Sequence, residues 1–133
     1  MSMAYIVDKD RKLVLSTARG ILSYHDAFEC LDRLERDPDF SPSFGHLCDY
    51  TRVVAFALSG DEIELLTTRR VFSTTSRWAF VASSQLACGL ARAFESYLGI
   101  AGFQQARVLD NKEEALRWLT NEAMADAGPT NLP

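Results

Sequence analysis

The sequence is poor in the residues that build metal centres, disulfide frameworks and phosphate loops. It has only two histidines and three cysteines. Cys30, Cys48 and Cys88 are far apart, odd in number and without zinc-ligand spacing, which speaks against a disulfide scaffold and a structural zinc site. They read as buried reduced thiols, the common state of free cysteine. No metal and no cofactor is expected. There is no glycine-rich phosphate loop, no Gly-x-Ser-x-Gly elbow and no His-Glu-x-x-His. These absences lower the expectation of an enzyme without excluding one, because catalytic groups can assemble from distant positions. Positive charge is not in excess: 14 Lys and Arg stand against 18 Asp and Glu, for a net charge of −4. A general nucleic-acid binder needs a basic face to neutralise phosphates, so that class is disfavoured. The most apolar long stretch, Trp78 to Phe103, is interrupted by Arg92 and Glu95 and makes a poor membrane span. Met1 to Asp8 lacks a basic region followed by an apolar run, so a signal peptide is not expected, and a cytoplasmic location is.

What is present describes one α/β domain. The chain has 133 residues, 47% of them hydrophobic and 24% charged, enough to close a single core without cross-links. The apolar run Ala4 to Val7, the polar turn Asp8 to Arg11 and the β-rich run Lys12 to Ala18 predict an antiparallel hairpin. Ser23 with Asp26 has capping-box spacing and opens a helix over roughly 24–36, with Ala27, Phe28, Leu31 and Leu34 at helical intervals; Asp37-Pro38 stops it. Phe44 to Tyr50 predicts a third strand. Ser59 with Glu62 opens a second helix that buries Ile63 and Leu66. Arg77 to Ala82 reads as a central strand covered on both faces.

Ser83-Ser84 then caps a third helix with a buried stripe of Leu86, Ala87, Leu90, Ala91, Phe94 and Leu98. Gly89 inside it is expected to permit close packing against a neighbour. Ala106 to Leu109 predicts the last strand. Asn111 with Glu114 opens a final helix carrying Ala115, Leu116, Trp118 and Leu119, which Gly128-Pro129 closes. The domain is placed at 1–127, with 128–133 as a frayed tail. The order is β-β-α-β-α-β-α-β-α. It implies a five-stranded, mostly parallel sheet, an antiparallel first strand at one edge, and helices on the faces.

This order, with His46-Leu47-Cys48-Asp49-Tyr50-Thr51-Arg52, Trp78-Ala79-Phe80-Val81, Gly89-Leu90-Ala91-Arg92 and Glu113-Glu114-Ala115-Leu116-Arg117-Trp118-Leu119, resembles the SpoIIAA-like superfamily. That group includes STAS domains, such as anti-sigma-factor antagonists, and is related in topology to CRAL-TRIO lipid-binding domains. The resemblance, over nearly the whole chain, is to a bacterial subfamily without established activity. It implies a non-enzymatic module. Antagonists of this fold are switched by phosphorylating a serine in an Asp-Ser-Ser/Thr-Gly motif after the third strand. Here that place holds Ala57-Leu58-Ser59-Gly60: Ser59 and Gly60 fit the end of the motif, and the preceding Asp-Ser is missing.

Ligands of open α/β sheets bind beyond the carboxyl ends of the parallel strands. That edge is expected to gather Arg19-Gly20, Asp49 to Arg52, Ser83-Ser84 and Asp110-Asn111, and the candidates are Asp49 and Arg52 after the third strand, Ser83 and Ser84 at the third helix, and Arg92 within it. Each has a plainer role: serines at helix starts are usually caps, and an Asp near an Arg is often a structural ion pair or a solvated rim. Ser59 is the candidate for phosphorylation, where a helix N-terminus favours negative charge; a cap alone also explains it. Val53 to Leu58 is six consecutive apolar residues in an expected loop. With Val54 and Phe56 it suggests a partner, ligand or dimer surface, or else an extra short strand tucked under the sheet. His46 and Cys48 share a strand face, but residues two apart are separated by roughly 6.6 Å, too far for easy proton transfer. The expected function is therefore a regulatory or interaction domain that binds a protein or a small apolar or anionic ligand at the strand-end edge as a homodimer, with the apolar stretch contributing. A small lipid carrier and a small enzyme using Cys48 or an edge serine are the alternatives.

Overall fold

The computed structural model describes residues 2–120. The order is β1 (Met3–Asp8), β2 (Leu13–Ser23), α1 (Tyr24–Glu35), β3 (Gly45–Ala57), α2 (Gly60–Thr68), β4 (Arg77–Val81), α3 (Gln85–Ile100), β5 (Gln105–Leu109) and α4 (Lys112–Thr120). The expected end of the last helix at Gly128-Pro129, the domain limit at 127 and the tail at 128–133 lie outside the described residues.

The five strands lie side by side in chain order. β1 pairs with β2 antiparallel, and β2–β3, β3–β4 and β4–β5 are parallel, as expected. In the hairpin turn, Asp8 accepts from the Arg11 backbone N–H at 3.1 Å and from Arg11 Nε at 2.8 Å.

Parallel crossovers share one hand, so a strand order that never reverses sends every crossover helix to the same face. Accordingly α1, α2 and α3 bury Ala27, Leu34, Ile63, Leu66, Leu90 and Phe94 in one large core with Val14, Leu22, Tyr50 and Phe80. α4 follows the last strand and needs no crossover. It packs Ala115 and Leu119 on the opposite face, against Leu13, Leu47, Ala79 and Val81. Every residue of β4 is buried, which matches its reading as a central strand covered on both faces. Arg77 begins that strand. Its Nη1 donates to the Trp118 carbonyl at 2.7 Å and its guanidinium lies 4.9 Å from the Trp118 ring, tying α4 to the sheet.

Three expectations are corrected. Phe28 and Leu86 remain 39% and 41% exposed, so the buried stripes of α1 and α3 are narrower than their spacing suggested. The Asp26 carboxylate does not reach back to the Ser23 backbone; it accepts from Ser2 N and Oγ, while Ser23 Oγ accepts from Asp26 N at 3.2 Å. Gly89 permits no close packing: a Cβ there would meet nothing within 4 Å. With space free and a helical backbone, Gly89→Ala should stabilise the protein by about 0.5–1 kcal/mol, chiefly by restricting the unfolded chain. Chemical denaturation checks this through a higher midpoint with an unchanged slope.

Candidate functional site

Beyond the Asp49–Val81 pair, β4 ends while β3 continues through Ala57. β1 likewise ends its pairing at Met3–Ala18, while β2 continues to Ser23. Arg19–Ser23 and the distal half of β3 therefore form a two-stranded parallel ribbon at the carboxyl edge of the sheet. The stretch expected as a loop is strand up to Ala57, and its β-branched and aromatic residues explain why.

The pairing slips twice, between Thr17 and Arg19 and between Gly20 and Ile21, each time with an extra residue on β3. Gly20 supplies φ +69° at the second slip, a conformation most side chains resist. The alternation splits the apolar run. Val53 is buried, whereas Val54, skipped by the pairing, is 70% exposed, Ile21 is 61% exposed and Phe56 is 40% exposed.

The other expected site residues surround this edge without converging. Asp49 Oδ1 accepts from Thr51 N at 2.9 Å and Thr51 Oγ1 at 2.6 Å, a local turn in place of an ion pair with Arg52. Ser84 caps α3 by accepting from Ala87 N at 3.0 Å, and Ser83 beside it is exposed. Ser59 makes a complete capping box: its Oγ accepts from Glu62 N at 3.1 Å and its N–H donates to Glu62 Oε1 at 2.9 Å. Arg92 lines a separate open cleft of about 420 Å³ with Cys88, Arg107, Asp110 and Glu114, beyond the ends of β4 and β5.

Under the helices the His46–Cys48 pair is joined by Ser16, which sequence reasoning did not find. Ser16 Oγ is 2.6 Å from His46 Nε2, and Cys48 Sγ is 3.6 and 3.7 Å from the two ring nitrogens. The imidazole is stacked on Phe72 at 4.7 Å and meets Trp78 edge-on at 4.4 Å. The signal for Ser16 was its alternation with Val14 and Ala18 on the buried face of β2.

Side-chain rotation brings His46 and Cys48 closer than their backbone spacing suggested. The contact is still not that of a nucleophile and its base: a sulfur almost equidistant from both nitrogens lies off the lone-pair axis of each. Burial pushes the His46 pKa down to about 3 and the Cys48 thiol well above its ordinary value, which leaves both groups neutral. The partly closed cavity beside them, lined also by Cys30 and Trp78, measures about 40 Å³. That is room for a few waters at most and far below the several hundred Å³ of typical ligand pockets.

On the exposed start of α1, ligand atoms of His25, Asp26 and Glu29 lie within 4.8 Å of one another, but Asp26 is engaged by Ser2. Among the described residues no helix is long and apolar enough to cross a membrane.

No family model and no curated protein matches the chain. A solved structure does: an uncharacterised protein of the DUF3478 family, with a SpoIIAA-like fold, from Shewanella loihica PV-4. The TM-score is 0.61 at 20% identity, covering 89% of this chain and 94% of that one. The chain has a SpoIIAA-like fold. At that identity the likeness carries architecture alone, so what the edge does must be argued from its residues.

The neutral, buried imidazole has a consequence for stability. Below its ordinary value of 6.5 the unfolded chain takes up a proton that the folded chain refuses until about pH 3. Stability should therefore be complete above pH 6.5 and fall as the pH drops towards 3. Denaturation midpoints measured across that range should show a shallower acid slope in His46→Gln than in the parent, whatever the absolute stability of the variant.

Proposed function

We propose that the protein is a non-catalytic interaction module whose contact surface is the β2–β3 ribbon. Its partner is a protein, either a second copy, as the apolar run first suggested, or a different chain. The observation that carries this reading is the exposure of Ile21, Val54 and Phe56 on an element that no third strand flanks among the described residues. Grouped apolar exposure at a strand edge is costly to leave in water and is characteristic of contact surfaces. The neutral, buried Ser16–His46–Cys48 group supports the non-catalytic part, and the 40 Å³ cavity speaks against a lipid carrier. Asp49, Arg52, Ser83 and Ser84 would form the polar rim of the contact. Phosphate on the exposed Ser59 would compete with its capping of α2 and add charge beside the ribbon.

The test replaces Val54 and Phe56 with serine. Val54 is 70% and Phe56 40% exposed, so the fold should survive with a modestly lower melting temperature. Sedimentation velocity and quantitative pull-down from the host should then show loss of self-association or of a captured protein. Unchanged behaviour in both assays would remove the ribbon as the contact surface.

The non-catalytic reading has its own check. Under native conditions an alkylating reagent should modify the half-buried Cys88 first and reach Cys30 and Cys48 only through opening of the core, since burial also raises the Cys30 thiol to about 11. Rapid stoichiometric labelling of Cys48 would instead point to a reactive nucleophile.

A further inference from the structure

The ribbon carries two arginines that nothing described in the protein neutralises. Arg19 and Arg52 are direct partners in the β2–β3 pairing. Directly opposed residues project to the same side of a sheet, on strands about 4.8 Å apart. Both side chains are exposed. Neither is in an ion pair or a side-chain hydrogen bond among the described residues; the one contact of Arg19 is its backbone N–H to the Ser2 carbonyl at 2.8 Å.

The nearest carboxylate along the strands does not relieve them. Asp49 stands opposite Thr17, just before the arginines, and its carboxylate is turned onto Thr51. Like charges set directly opposite each other destabilise a strand pair. In a chain of net charge −4 this is a local concentration of positive charge that folding does not use.

Its surroundings define what would use it. Ile21 follows Arg19 by two residues and so shares its side of β2, and Val54 follows Arg52 at the slipped position. Both are more than half exposed. The same side of the sheet is covered by α4 over Leu13, Leu47, Ala79 and Val81, which leaves the ribbon clear of that helix. On the Arg19 side the surface dips into a cleft of about 360 Å³ lined by Ser2, Met3, Ala4, Thr17, Arg19 and Arg33. Two adjacent cations flanked by isolated aliphatic side chains are complementary to an extended chain that alternates acidic and aliphatic residues.

We propose that the ribbon recognises an acidic, extended segment of a different protein, with Arg19 and Arg52 binding its carboxylates and Ile21 and Val54 its aliphatic side chains. This rests on the interaction-module reading and adds the chemistry of the partner.

The experiment uses the full chain and fluorescently labelled peptides that alternate glutamate with valine or isoleucine, read by anisotropy. Matching peptides with lysine in place of glutamate, and vesicles of anionic phospholipid, are the comparisons. The glutamate peptides should bind and the lysine peptides should not. Binding should weaken steadily with added salt, as expected for exposed charges. Arg19→Glu/Arg52→Glu should lower affinity at least about tenfold, with circular dichroism and melting unchanged.

The proposal falls if glutamate and lysine peptides bind alike, if none binds, or if the double charge reversal has no effect. It also falls if the vesicles bind and the peptides do not, or if the arginine variant loses only self-association, which would give the face to a second copy. Val54→Ser/Phe56→Ser separates the two readings. Partner loss in that variant with no effect of charge reversal keeps the contact surface and discards the acidic partner.

Discussion

The shape of this molecule follows from the hand of its crossovers. Because the strands lie in chain order, each β-α-β unit turns the same way and each crossover helix lands on the same side. One face of the sheet thus receives three helices and the large core. The other receives α4 alone, which reaches the opposite face only because no strand follows it among the described residues. Parallel sheets are ordinarily covered on both sides. Here coverage is complete over β4, and β2 and β3 run on past the strands beside them at the carboxyl edge. The asymmetry of the surface is a consequence of connectivity and needs no separate cause.

Much of this was legible in the sequence. The hairpin, the four helices, their caps at Ser23, Ser59, Ser84 and Asn111, and the parallel order all follow from local patterns of alternation, helical spacing and capping chemistry. These features are set by neighbours along the chain. Where the reading failed, the deciding neighbour was distant. Val53 to Ala57 read as a loop because an apolar run without a turn at its start has no local marker of pairing. The pairing came from Arg19 to Ser23, itself assigned to no element. Gly89 was given a packing role on composition, and only the surrounding space shows that none exists.

The candidate site was legible in part. Val54, Phe56 and Arg52 fall on the ribbon, Ser83 and Ser84 at the mouth of α3, and Arg92 in a different cleft. The rule that ligands gather at strand ends located the edge and could not say that the edge has two parts, because β4 stops at Val81 while β3 pairs onward with β2. Arg19 was placed at this edge, but its pairing with Arg52 was not foreseen: an arginine before a glycine gives no sign of its neighbour across the sheet. Ser16 was hidden differently. It looks unremarkable alone, and its 2.6 Å contact with His46 depends on register between strands thirty residues apart.

The slipped pairing has a bearing on solubility. A flat ribbon rich in valine, isoleucine and phenylalanine is a template on which identical chains can stack, since its backbone groups are free to pair and its side chains repeat every second residue. In this ribbon the uninterrupted pairing amounts to Arg19–Gly20 and then Ile21–Ser23, divided by an extra residue on β3. Each slip moves the following β3 side chains to the opposite side relative to a straight strand, so a second ribbon laid alongside would fall out of step after two or three residues. That is well short of the roughly six-residue segments from which dry cross-β interfaces grow. The irregularity lets the chain hold an exposed apolar edge while denying it the regular repeat that fibril growth requires.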